Sequence, residues 1–352
     1  MEASARHAID ALNRIGFLLE RSREPSYRVQ AFRKAARTVS ALPAGELDER
    51  IAAGTLQELA GIGAVTATVI TEAAAGDTPA YLTKLLSTAT GALASGGETL
   101  RAALRGDLHM HSDWSDGGSP IEEMVLAARE LGHSYVALTD HSPRLTVANG
   151  LSPERLRKQL DIVRSLNERF AEEAAAGTAA PFRVLTGIEV DIFEDGGLDQ
   201  DPGLLAELDV VVASVHSKLR MPSAEMTPRM VAAIANPHMD VLGHCTGRIV
   251  VGRGRPESAF EADIVFEACR QFNVAVEVNS RPERLDPPRR LLRLAVETGC
   301  MVSIDTDAHA PGQLDWQPYG CERAEECGVT PDRVINAKPL DELLAWTAAP
   351  SG

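Results

Sequence analysis

From Gly106 onward the chain alternates short apolar runs with amphipathic helical stretches, and this alternation constrains the fold more than any other feature. Seven runs recur in order: DLHMHS, YVALTDHS, FRVLTGIEVDI, LDVVVASVHS, VDVLGHCTG, VAVEVNS and MVSIDTDAH. Helix-like segments such as SPIEEMVLAARELG, SPERLRKQLDIVRSLNERF and ESAFEADIVFEACRQF lie between them. This pattern is typical of βα units with a parallel sheet. Because no dinucleotide glycine motif accompanies the runs, we predict a closed α/β barrel with its chemistry at the carboxyl ends of the strands.

The first hundred residues follow a different, helical pattern. Apolar residues recur at helical spacing from residue 6 to 40, with an interruption at EPSY, where Pro25 lies. LQELAGIGAVTATVITEAA then predicts a helix, a Gly-Ile-Gly turn and a second helix, because Gly61 and Gly63 tolerate backbone angles that a side chain forbids. The N–H groups that open the second helix can bind a phosphate without reading a base, although GIG alone is more typical of a simple connector.

Low-complexity sequence separates the two patterns. The run TATGALASGGE predicts a flexible or weakly structured linker near residues 88–98. We therefore predict three parts: a small all-α helix-hairpin-helix domain over residues 1–88, a linker over 89–105 and the barrel domain over 106–352.

The net charge of −15 would argue against nucleic acid as a partner if it were evenly spread. Residues 1–105, however, carry 12 basic and 11 acidic side chains, whereas the remainder carries 23 and 39. Carboxylates gathered around bound cations would account for part of the acidic surplus. In the first part, the arginine-rich stretch and the glycine turn supply candidate DNA-backbone contacts: Arg28, Arg33, Lys34, Gly61, Ile62 and Gly63.

The composition is that of an ordinary globular protein. The first 25 residues contain acids and arginines throughout and lack the long apolar stretch of a signal peptide or membrane span. The five cysteines are scattered and never spaced as CxxC, so we predict reduced thiols without a disulfide frame or a thiolate zinc site. We expect a cytoplasmic protein with no membrane partner.

Most histidines fall where the apolar runs end. Six of the nine histidines, with two carboxylates, take these positions: His109, His111, His141, Glu189, His216, His244, Asp307 and His309. The first two alternate with Leu108 and Met110, so in an extended segment both imidazoles leave the same face. Three histidines lie in or beside helices and are predicted to be structural or exposed: His7, His133 and His238. Because the carboxyl ends of parallel strands meet at one rim, we expect the eight side chains to converge.

With Asp116, these side chains form a set of nine nitrogen and oxygen ligands without sulfur. Such a set suits zinc, manganese or iron(II). Nine ligands exceed what one ion uses, so we predict more than one divalent ion, with a carboxylate such as Glu189 bridging two of them. A set of inert core histidines would explain one or two of these positions but not their placement at a single rim.

The same segments resemble the motifs of the polymerase and histidinol phosphatase (PHP) family. HMHSDWSDG, LTDHS, GIEVD, SVHSK, LGHCTGR and DTDAH match these motifs in order and spacing, over about Gly106 to Trp346. The resemblance implies a distorted (β/α)7 barrel that holds up to three metal ions. It also implies three ligand sets: His109, His111, Glu189 and Asp307 for one ion, Glu189, His216 and His244 for a second, and Asp116, His141 and His309 for a third. Some relatives have histidine at the position of Asp116.

The amino-terminal part is similar to the small DNA-binding domain of bacterial family X DNA polymerases, which also end in a PHP domain. The matching segments are RVQAFRKAARTVSALP and LAGIG. Those polymerases carry a palm with paired catalytic aspartates between the two parts, whereas this chain has only the linker there. We infer that polymerase activity is absent and that a lesion- or end-binding module is joined directly to a metallohydrolase.

Clustered cations lower the pKa of a bound water and neutralise phosphate oxygens, so the ligand set predicts phosphate ester hydrolysis. The sequence contains no GxSxG elbow that would supply a serine nucleophile. Near the rim, Lys218 and Arg248 are candidate catalytic residues able to hold a phosphate oxygen, and Arg281 and Asn279 are candidate substrate-binding residues. The alternative for the cations is a surface salt bridge, and for Asn279 a loop cap.

Three functions remain open from the sequence. The first is a DNA-end phosphoesterase in DNA repair, acting as a 3′-5′ exonuclease or 3′-phosphatase. The second is a small-molecule phosphatase of the histidinol-phosphatase type. The third is a non-catalytic DNA-binding protein with a dead barrel, against which the complete ligand set argues.

Overall fold

The computed structural model describes residues 2–349, which divide into two compact units, Met1–Ala92 and Leu93–Gly352. We call them the helical unit and the barrel unit. Within residues 2–349, no helix is both long enough and apolar enough to cross a membrane. All five cysteines are buried free thiols, as predicted.

The helical unit contains five α-helices. In chain order they are α1 (Ala3–Arg21), α2 (Ser26–Ser40), α3 (Glu46–Ala53), α4 (Ala64–Ala74) and α5 (Ala80–Ala89). The predicted break at EPSY is confirmed, since α1 ends at Arg21 and α2 begins directly after Pro25. Along α1, Leu12, Ile15 and Leu19 recur on one face and are fully buried in the core of this unit.

The hairpin around Gly61 differs from the prediction in its first arm. Instead of an α-helix, Leu56–Glu58 forms a single 3-10 turn. The physical reason is length: Gly54 already ends α3 in a left-handed conformation, so too few residues remain before Gly61 to nucleate an α-helix. Gly61 itself has φ +90°, and α4 begins two residues after Ile62.

The barrel unit is built on seven parallel strands arranged in chain order, which confirms the predicted (β/α)7 barrel. Their bounds are β1 (Gly106–Met110), β2 (Tyr135–Leu138), β3 (Arg183–Asp191), β4 (Val210–Ser214), β5 (Val241–Leu242), β6 (Ala275–Asn279) and β7 (Val302–Asp305). A parallel bridge between Met110 and Ala308 brings the first and last strands together and nearly closes the barrel.

Helices surround the strands. Their bounds are α6 (Glu98–Ala103), α7 (Ile121–Glu130), α8 (Pro153–Ala175), α9 (Pro202–Leu205), α10 (Ser223–Ile234), α11 (Ala262–Gln271), α12 (Arg289–Thr298), α13 (Gln317–Glu326) and α14 (Leu340–Thr347). The three segments predicted as helical between strands become α7, α8 and α11.

Strand β6 shows how the sequence divides between core and site. Val276 packs with residues of α11, whereas Ala275 packs with side chains of other strands. Glu277 and Asn279 follow Ala275 at alternate positions and therefore share its face. The apolar residues of β6 pack in the core of the barrel, whereas Glu277 and Asn279 lie toward its mouth.

The segment predicted as a linker, residues 89–105, is only partly irregular. Residues Glu98–Ala103 form α6, and Leu100 and Leu104 are buried against Val302 and Cys321. The sequence ETLRAAL is short but amphipathic, so it gains more by packing on the barrel unit than by remaining solvated. Low complexity is confined to the residues before it.

Candidate metal centre

Strand β1 delivers the first two histidines. His109 lies within the strand and His111 directly after it, and both are fully buried. Their ring centroids lie 5.1 Å apart, so the alternation with Leu108 and Met110 brings the two imidazoles together as predicted.

All nine predicted ligands gather at the carboxyl ends of the strands. Their donor atoms form three groups in which every atom lies within 4.8 Å of the others: His111, Asp116, His141 and His309; His109, His111 and Asp307; and His141, Glu189 and His216. The ninth, His244, contacts Glu189. Convergence of this kind follows from the parallel topology, because every strand ends at the same rim.

Glu189, at the centre of these groups, presents one oxygen to each of two sides. Its Oε2 lies 3.3 Å from Nε2 of His109 and 3.6 Å from Nε2 of His111. Its Oε1 lies 3.0 Å from Nε2 of His244 and 3.2 Å from Nε2 of His216. A carboxylate with separate partners on each oxygen has the geometry of a bridge between two cation positions.

A third group lies nearer the solvent. Asp116 Oδ1 is 3.4 Å from Nε2 of His141 and 3.3 Å from Nε2 of His309. The side chain of Asp116 is 36% exposed, whereas Glu189 and Asp307 are buried. The centre is therefore open at Asp116 and closed beneath Glu189.

The grouping differs in one respect from the sets implied by the family resemblance. His141 lies close to both Asp116 and Glu189, since its Nδ1 is 2.9 Å from Glu189 Oε2. It therefore connects the outer group to the bridging carboxylate instead of belonging to the outer group alone. His111 likewise belongs to two groups.

The carboxylates of the centre are held ionised. Burial would raise the pKa of Glu189, but His216, His109 and His141 together hold it well below its usual value. Burial also opposes ionisation of Asp307, and Arg281 and His111 outweigh it, so the pKa of Asp307 is likewise well below normal. Both groups are therefore anionic ligands at neutral pH.

Two imidazoles are favoured in the neutral form that a metal requires. Burial lowers the pKa of His111 well below its usual value, and the neighbouring rings of His309 and His141 lower it further. Burial also lowers the pKa of His244, with help from Arg284. Neutral imidazole is the metal-binding form, so these two rings need lose no proton to bind.

The donor atoms fit a bound cation better than they fit one another. Nε2 of His109, Nε2 of His111 and Oε2 of Glu189 are buried and form no hydrogen bond with the described residues, despite separations of 3.3 and 3.6 Å. Ligands about 2.0–2.2 Å from one zinc or manganese ion lie about 3–3.6 Å apart. Nitrogen and oxygen donors at these separations can hold divalent ions.

Comparison with known proteins assigns the fold. The model of the PHP domain matches residues 107–281, and the model of a helix-hairpin-helix domain matches residues 4–78. The barrel unit contains a PHP domain. The residues between the two matches, 79–106, are too few for a polymerase palm.

Two curated relatives illustrate the range of the PHP barrel. The DNA polymerase/3′-5′ exonuclease PolX of Bacillus subtilis is 40% identical over 243 residues, which are 69% of this chain but 41% of that protein. A protein of Thermoanaerobacter sp. (strain X514) described as a probable phosphatase is 27% identical over 241 residues, 65% of this chain and 89% of that protein. This chain thus spans less than half of PolX.

The comparison with solved structures also matched histidinol phosphate phosphatase from Lactococcus lactis, in complex with zinc, L-histidinol and phosphate. It is 18% identical, covers 64% of this chain and 94% of its own, and superimposes with a TM-score of 0.47.

The sequence analysis did not predict two carboxylates that contact the proposed histidine ligands. In the PHP barrel, Glu277 Oε1 lies 2.5 Å from Nδ1 of His109, and its Oε2 accepts from the backbone N–H of His244. Asp191 Oδ1 lies 3.6 Å from Nδ1 of His216. A carboxylate bonded to the ring, as Glu277 is to His109, orients a histidine ligand and raises its basicity. Asp191 instead accepts from the backbone N–H of His216 at 3.1 Å. The signal for Glu277 was its alternation with Asn279 in VAVEVNS.

Arg284 was also missed. Its Nε donates to Asp307 Oδ2 at 3.0 Å. Burial opposes its charge, but Asp307 and Glu189 outweigh burial and raise the pKa of Arg284. Asp307 has φ +53°, a backbone conformation uncommon for aspartate, which the surrounding bonds maintain.

The two predicted substrate-binding residues lie at the centre but already have partners. Arg281 places one terminal nitrogen 2.9 Å from Nδ1 of His309 and 3.2 Å from the carbonyl oxygen of Asp307. The side-chain nitrogen of Asn279 lies 3.2 Å from carboxylate oxygens of both Glu277 and Asp307. Asn279 is fully buried, so its contacts position the carboxylates.

The two predicted catalytic cations differ in environment. The guanidinium of Arg248 donates to the carbonyl oxygens of Arg284 and Leu285 and lies 3.5 Å from Glu257. These contacts make Arg248 a brace for the loop that carries Arg284. Lys218 is exposed two residues after His216, on the rim.

Two predicted DNA contacts of the helical unit need correction. Arg33 is buried, and its Nε and one terminal nitrogen bind the carboxylate of Glu20 at 2.9 and 2.8 Å. Its positive charge is therefore neutralised between α1 and α2. Ile62 is buried in the core of the same unit, because the turn directs its side chain inward. Neither side chain can reach a DNA backbone.

The other predicted contacts remain accessible. Arg28 is half-exposed and binds Glu24 and the hydroxyl of Tyr81. Lys34 is exposed, and its methylenes lie directly over Gly61, where a Cβ would approach them to 2.7 Å. Lys34 thus brings a cation beside the glycine turn that precedes α4.

Proposed function

We propose that this PHP protein hydrolyses phosphate esters at DNA ends, as a 3′-5′ exonuclease or 3′-phosphatase in DNA repair. The observation that carries the proposal is that one chain contains both nine converging histidine, aspartate and glutamate side chains and a helix-hairpin-helix domain. The relationship to PolX, a polymerase and 3′-5′ exonuclease, supports the same reading.

For the centre, we propose three cation positions that share residues. His109, His111, Glu189 and Asp307 would hold the first ion, and Glu189, His216 and His244 the second. The third would take Asp116, His141 and His309. Zinc, manganese and iron(II) all suit these donors.

Divalent ions held by these residues would supply an activated water at neutral pH and would neutralise the oxygens of the phosphate. The side chains of the protein position the ligands and the phosphate. Glu189 stays anionic between two ligand groups, and Glu277 fixes the ring of His109. Arg284 and Arg281 place positive charge beside Asp307, where a phosphate oxygen approaching the centre would meet it.

For the helical unit, we propose sequence-independent binding of the DNA backbone at the glycine turn. The first intrahelical bond of α4 runs from the N–H of Ala67 to the carbonyl of Gly63, which leaves the N–H groups of residues 64–66 without an intrahelical acceptor. The N–H groups of Ile62 and Gly63 already donate to the carbonyl of Leu59 and the hydroxyl of Thr66. Lys34 beside Gly61 adds one cation, and α4 itself has no Lys or Arg. Affinity from this unit alone should be weak.

The test is a parallel assay of metal-free protein reconstituted with Mn²⁺ or Zn²⁺. End-labelled single-stranded and gapped DNA, with and without a 3′-phosphate, is compared with histidinol phosphate. We expect shortening or 3′-phosphate removal that disappears in His111→Ala and persists in His238→Ala, a histidine outside the centre. Inert DNA with all metals would overturn the proposal.

A second candidate is a small-molecule phosphatase. It is favoured by the match to the Thermoanaerobacter protein, of which this chain covers 89%. Rapid turnover of histidinol phosphate beside inert DNA would establish it. A non-catalytic role is disfavoured, because a decayed site should have lost at least one of the nine ligands.

A further inference from the structure

A small hairpin projects from the loop that follows β5. Residues 249–255, IVVGRGR, fold back on themselves: the N–H of Ile249 donates to the carbonyl of Arg255 at 3.0 Å, and the reverse bond measures 2.9 Å. Gly252 and Gly254 allow the tight turn with φ of +62° and +64°. We call this segment the VVGRG hairpin.

The tip of the VVGRG hairpin combines apolar surface with a cation. Val250 and Val251 are 49% and 37% exposed, and Arg253 between the two glycines is exposed as well. Scattered exposed apolar residues are ordinary, but here two adjacent valines and an arginine are exposed within one short turn. No ion pair within 4 Å involves Arg253 among the described residues, so its charge faces solvent.

Hydrogen bonds connect the hairpin to the loops that carry residues of the metal centre. The N–H of Val250 donates to the carbonyl of Glu283 at 2.7 Å, and Arg255 Nε donates to the carbonyl of Gly247. Glu283 directly precedes Arg284, which binds Asp307, and the loop itself starts at His244. The base of the hairpin is therefore bonded to the loops that carry Arg284 and His244, at the mouth of the barrel.

The neighbouring loop adds two more cations. Lys218 and Arg220 follow His216 and are exposed without an ion pair in residues 2–349. Leu219 between them approaches the backbone of Gly247, which joins this loop to the base of the hairpin. Three exposed cations thus lie on neighbouring loops at the mouth of the barrel. By contrast, the chain after residue 105 is acidic overall, with 39 acidic and 23 basic residues.

We propose that the VVGRG hairpin is a contact surface for the single strand whose end enters the metal centre. Arg253, Lys218 and Arg220 bind successive phosphates, and the two valines pack against a base face. Cations beside apolar surface match a strand that has a charge at each nucleotide and a flat apolar base, whereas an apolar peptide would leave the cations without partners. This inference rests on the proposed function.

The test uses the full chain with Mn²⁺ and two variants of the hairpin, Arg253→Gln and the double change Val250→Ser with Val251→Ser. Matched controls are Arg157→Gln and Ile264→Ser, which alter exposed residues on α8 and α11. The substrates are a 12-nucleotide strand with a 3′-phosphate and a nucleoside 3′-monophosphate. Equilibrium binding of the strand to each protein is measured by fluorescence anisotropy.

We expect each hairpin variant to raise KM and Kd for the strand about fivefold, as loss of one contact of about 1 kcal/mol implies. Values for the monophosphate and for both controls should not change. Arg253→Gln should also lower the salt dependence of strand binding by about one unit of slope. Equal Kd values for hairpin variants and controls, or no strand binding at all, would overturn the inference. Strand binding with monophosphate turnover but no strand turnover would instead overturn the proposed function.

Discussion

At the scale of single residues, the metal centre depends on groups outside the nine proposed ligands. Glu277 holds the ring of His109 on one oxygen and the backbone of His244 on the other. Burial works against the charge of His109, but Glu277 and Glu189 raise the pKa of that ring well above normal. The same negative field that favours a proton there favours a divalent ion once the proton has left.

Glu277→Gln should therefore weaken metal binding while keeping the shape of the site. Loss of an orienting carboxylate typically costs about 10- to 100-fold in metal affinity. Competition with a chromophoric chelator measures this affinity without reference to activity. The control is Glu267→Gln on α11, an exposed glutamate paired with Arg270. Unchanged affinity in Glu277→Gln would contradict an orienting role.

His133 provides a residue-scale prediction about pH. Burial, with a smaller effect from Arg101, lowers its pKa from 6.5 to about 3. Since the folded protein keeps this ring neutral, its contribution to stability is complete above pH 6.5 and is lost as the pH falls toward 3. Between pH 7.5 and 5 the loss should reach about 2 kcal/mol, at about 1.4 kcal/mol per unit below pH 6.5.

His133→Phe removes this dependence. Urea unfolding of wild type and variant at pH 7.5 and pH 5, both with chelator, isolates the contribution of His133, because the other titrating groups are common to both proteins. The free energy of unfolding of the variant should gain about 2 kcal/mol relative to wild type at the lower pH. Parallel values at the two pH points would show that His133 is protonated as easily in the folded as in the unfolded chain.

At the scale of elements, the helical unit has a charged pair in its core as well as charged side chains on its surface. The Arg33 guanidinium forms a two-point bond to Glu20 between α2 and α1, and both side chains are buried. Removing one partner of such a pair leaves a buried charge alone and costs about 3–5 kcal/mol. Arg33 thus belongs to the core of this unit.

Arg33→Ala should lower the free energy of unfolding of the helical unit by about 3–5 kcal/mol, whereas Arg37→Ala, an exposed arginine on the same helix, should stay within about 0.5 kcal/mol. Replacing Arg33 and Glu20 together by Met should recover most of the loss, because no charge is left unpaired. Thermal unfolding followed by circular dichroism measures all three. Full stability of Arg33→Ala would return Arg33 to the candidate DNA contacts.

Elements with long, regular patterns were predictable from the sequence, and short ones were not. The seven apolar runs became β1 to β7, since parallel strands buried on both faces need nearly continuous apolar sequence. The arm before Gly61 and α6 were misjudged, because segments of three to six residues take their conformation from tertiary packing. The convergence of the nine side chains could be predicted, because it follows from the positions of the strand ends, whereas the bonds of Arg33, Arg248 and Arg284 could not.

At the scale of the whole molecule, the proposed function assigns DNA-backbone binding to the helical unit and hydrolysis to the barrel unit. The acidic excess lies in the part that holds the metal ligands, and the arginine-rich stretch lies in the helical unit. Separate cores support this division, since each unit buries its own apolar residues. Damage to one site should therefore leave the other intact.

His111→Ala or Asp307→Ala should abolish hydrolysis of every ester and leave the Kd for gapped DNA unchanged within about twofold, because neither residue lies in the helical unit.

Changing Gly61 and Gly63 together to Val should do the reverse, raising the Kd for gapped DNA about tenfold and sparing hydrolysis of a small ester. A side chain at Gly61 faces φ +90° and the methylenes of Lys34, so the turn must rearrange. Because this change also strains the helical unit, Lys34→Gln serves as a second variant that weakens DNA binding through charge alone. Anisotropy and colorimetric ester hydrolysis, run on the same preparations, measure the two properties. An exchange of these effects, with DNA binding lost in His111→Ala and ester hydrolysis lost in Lys34→Gln, would refute the division of labour between the units.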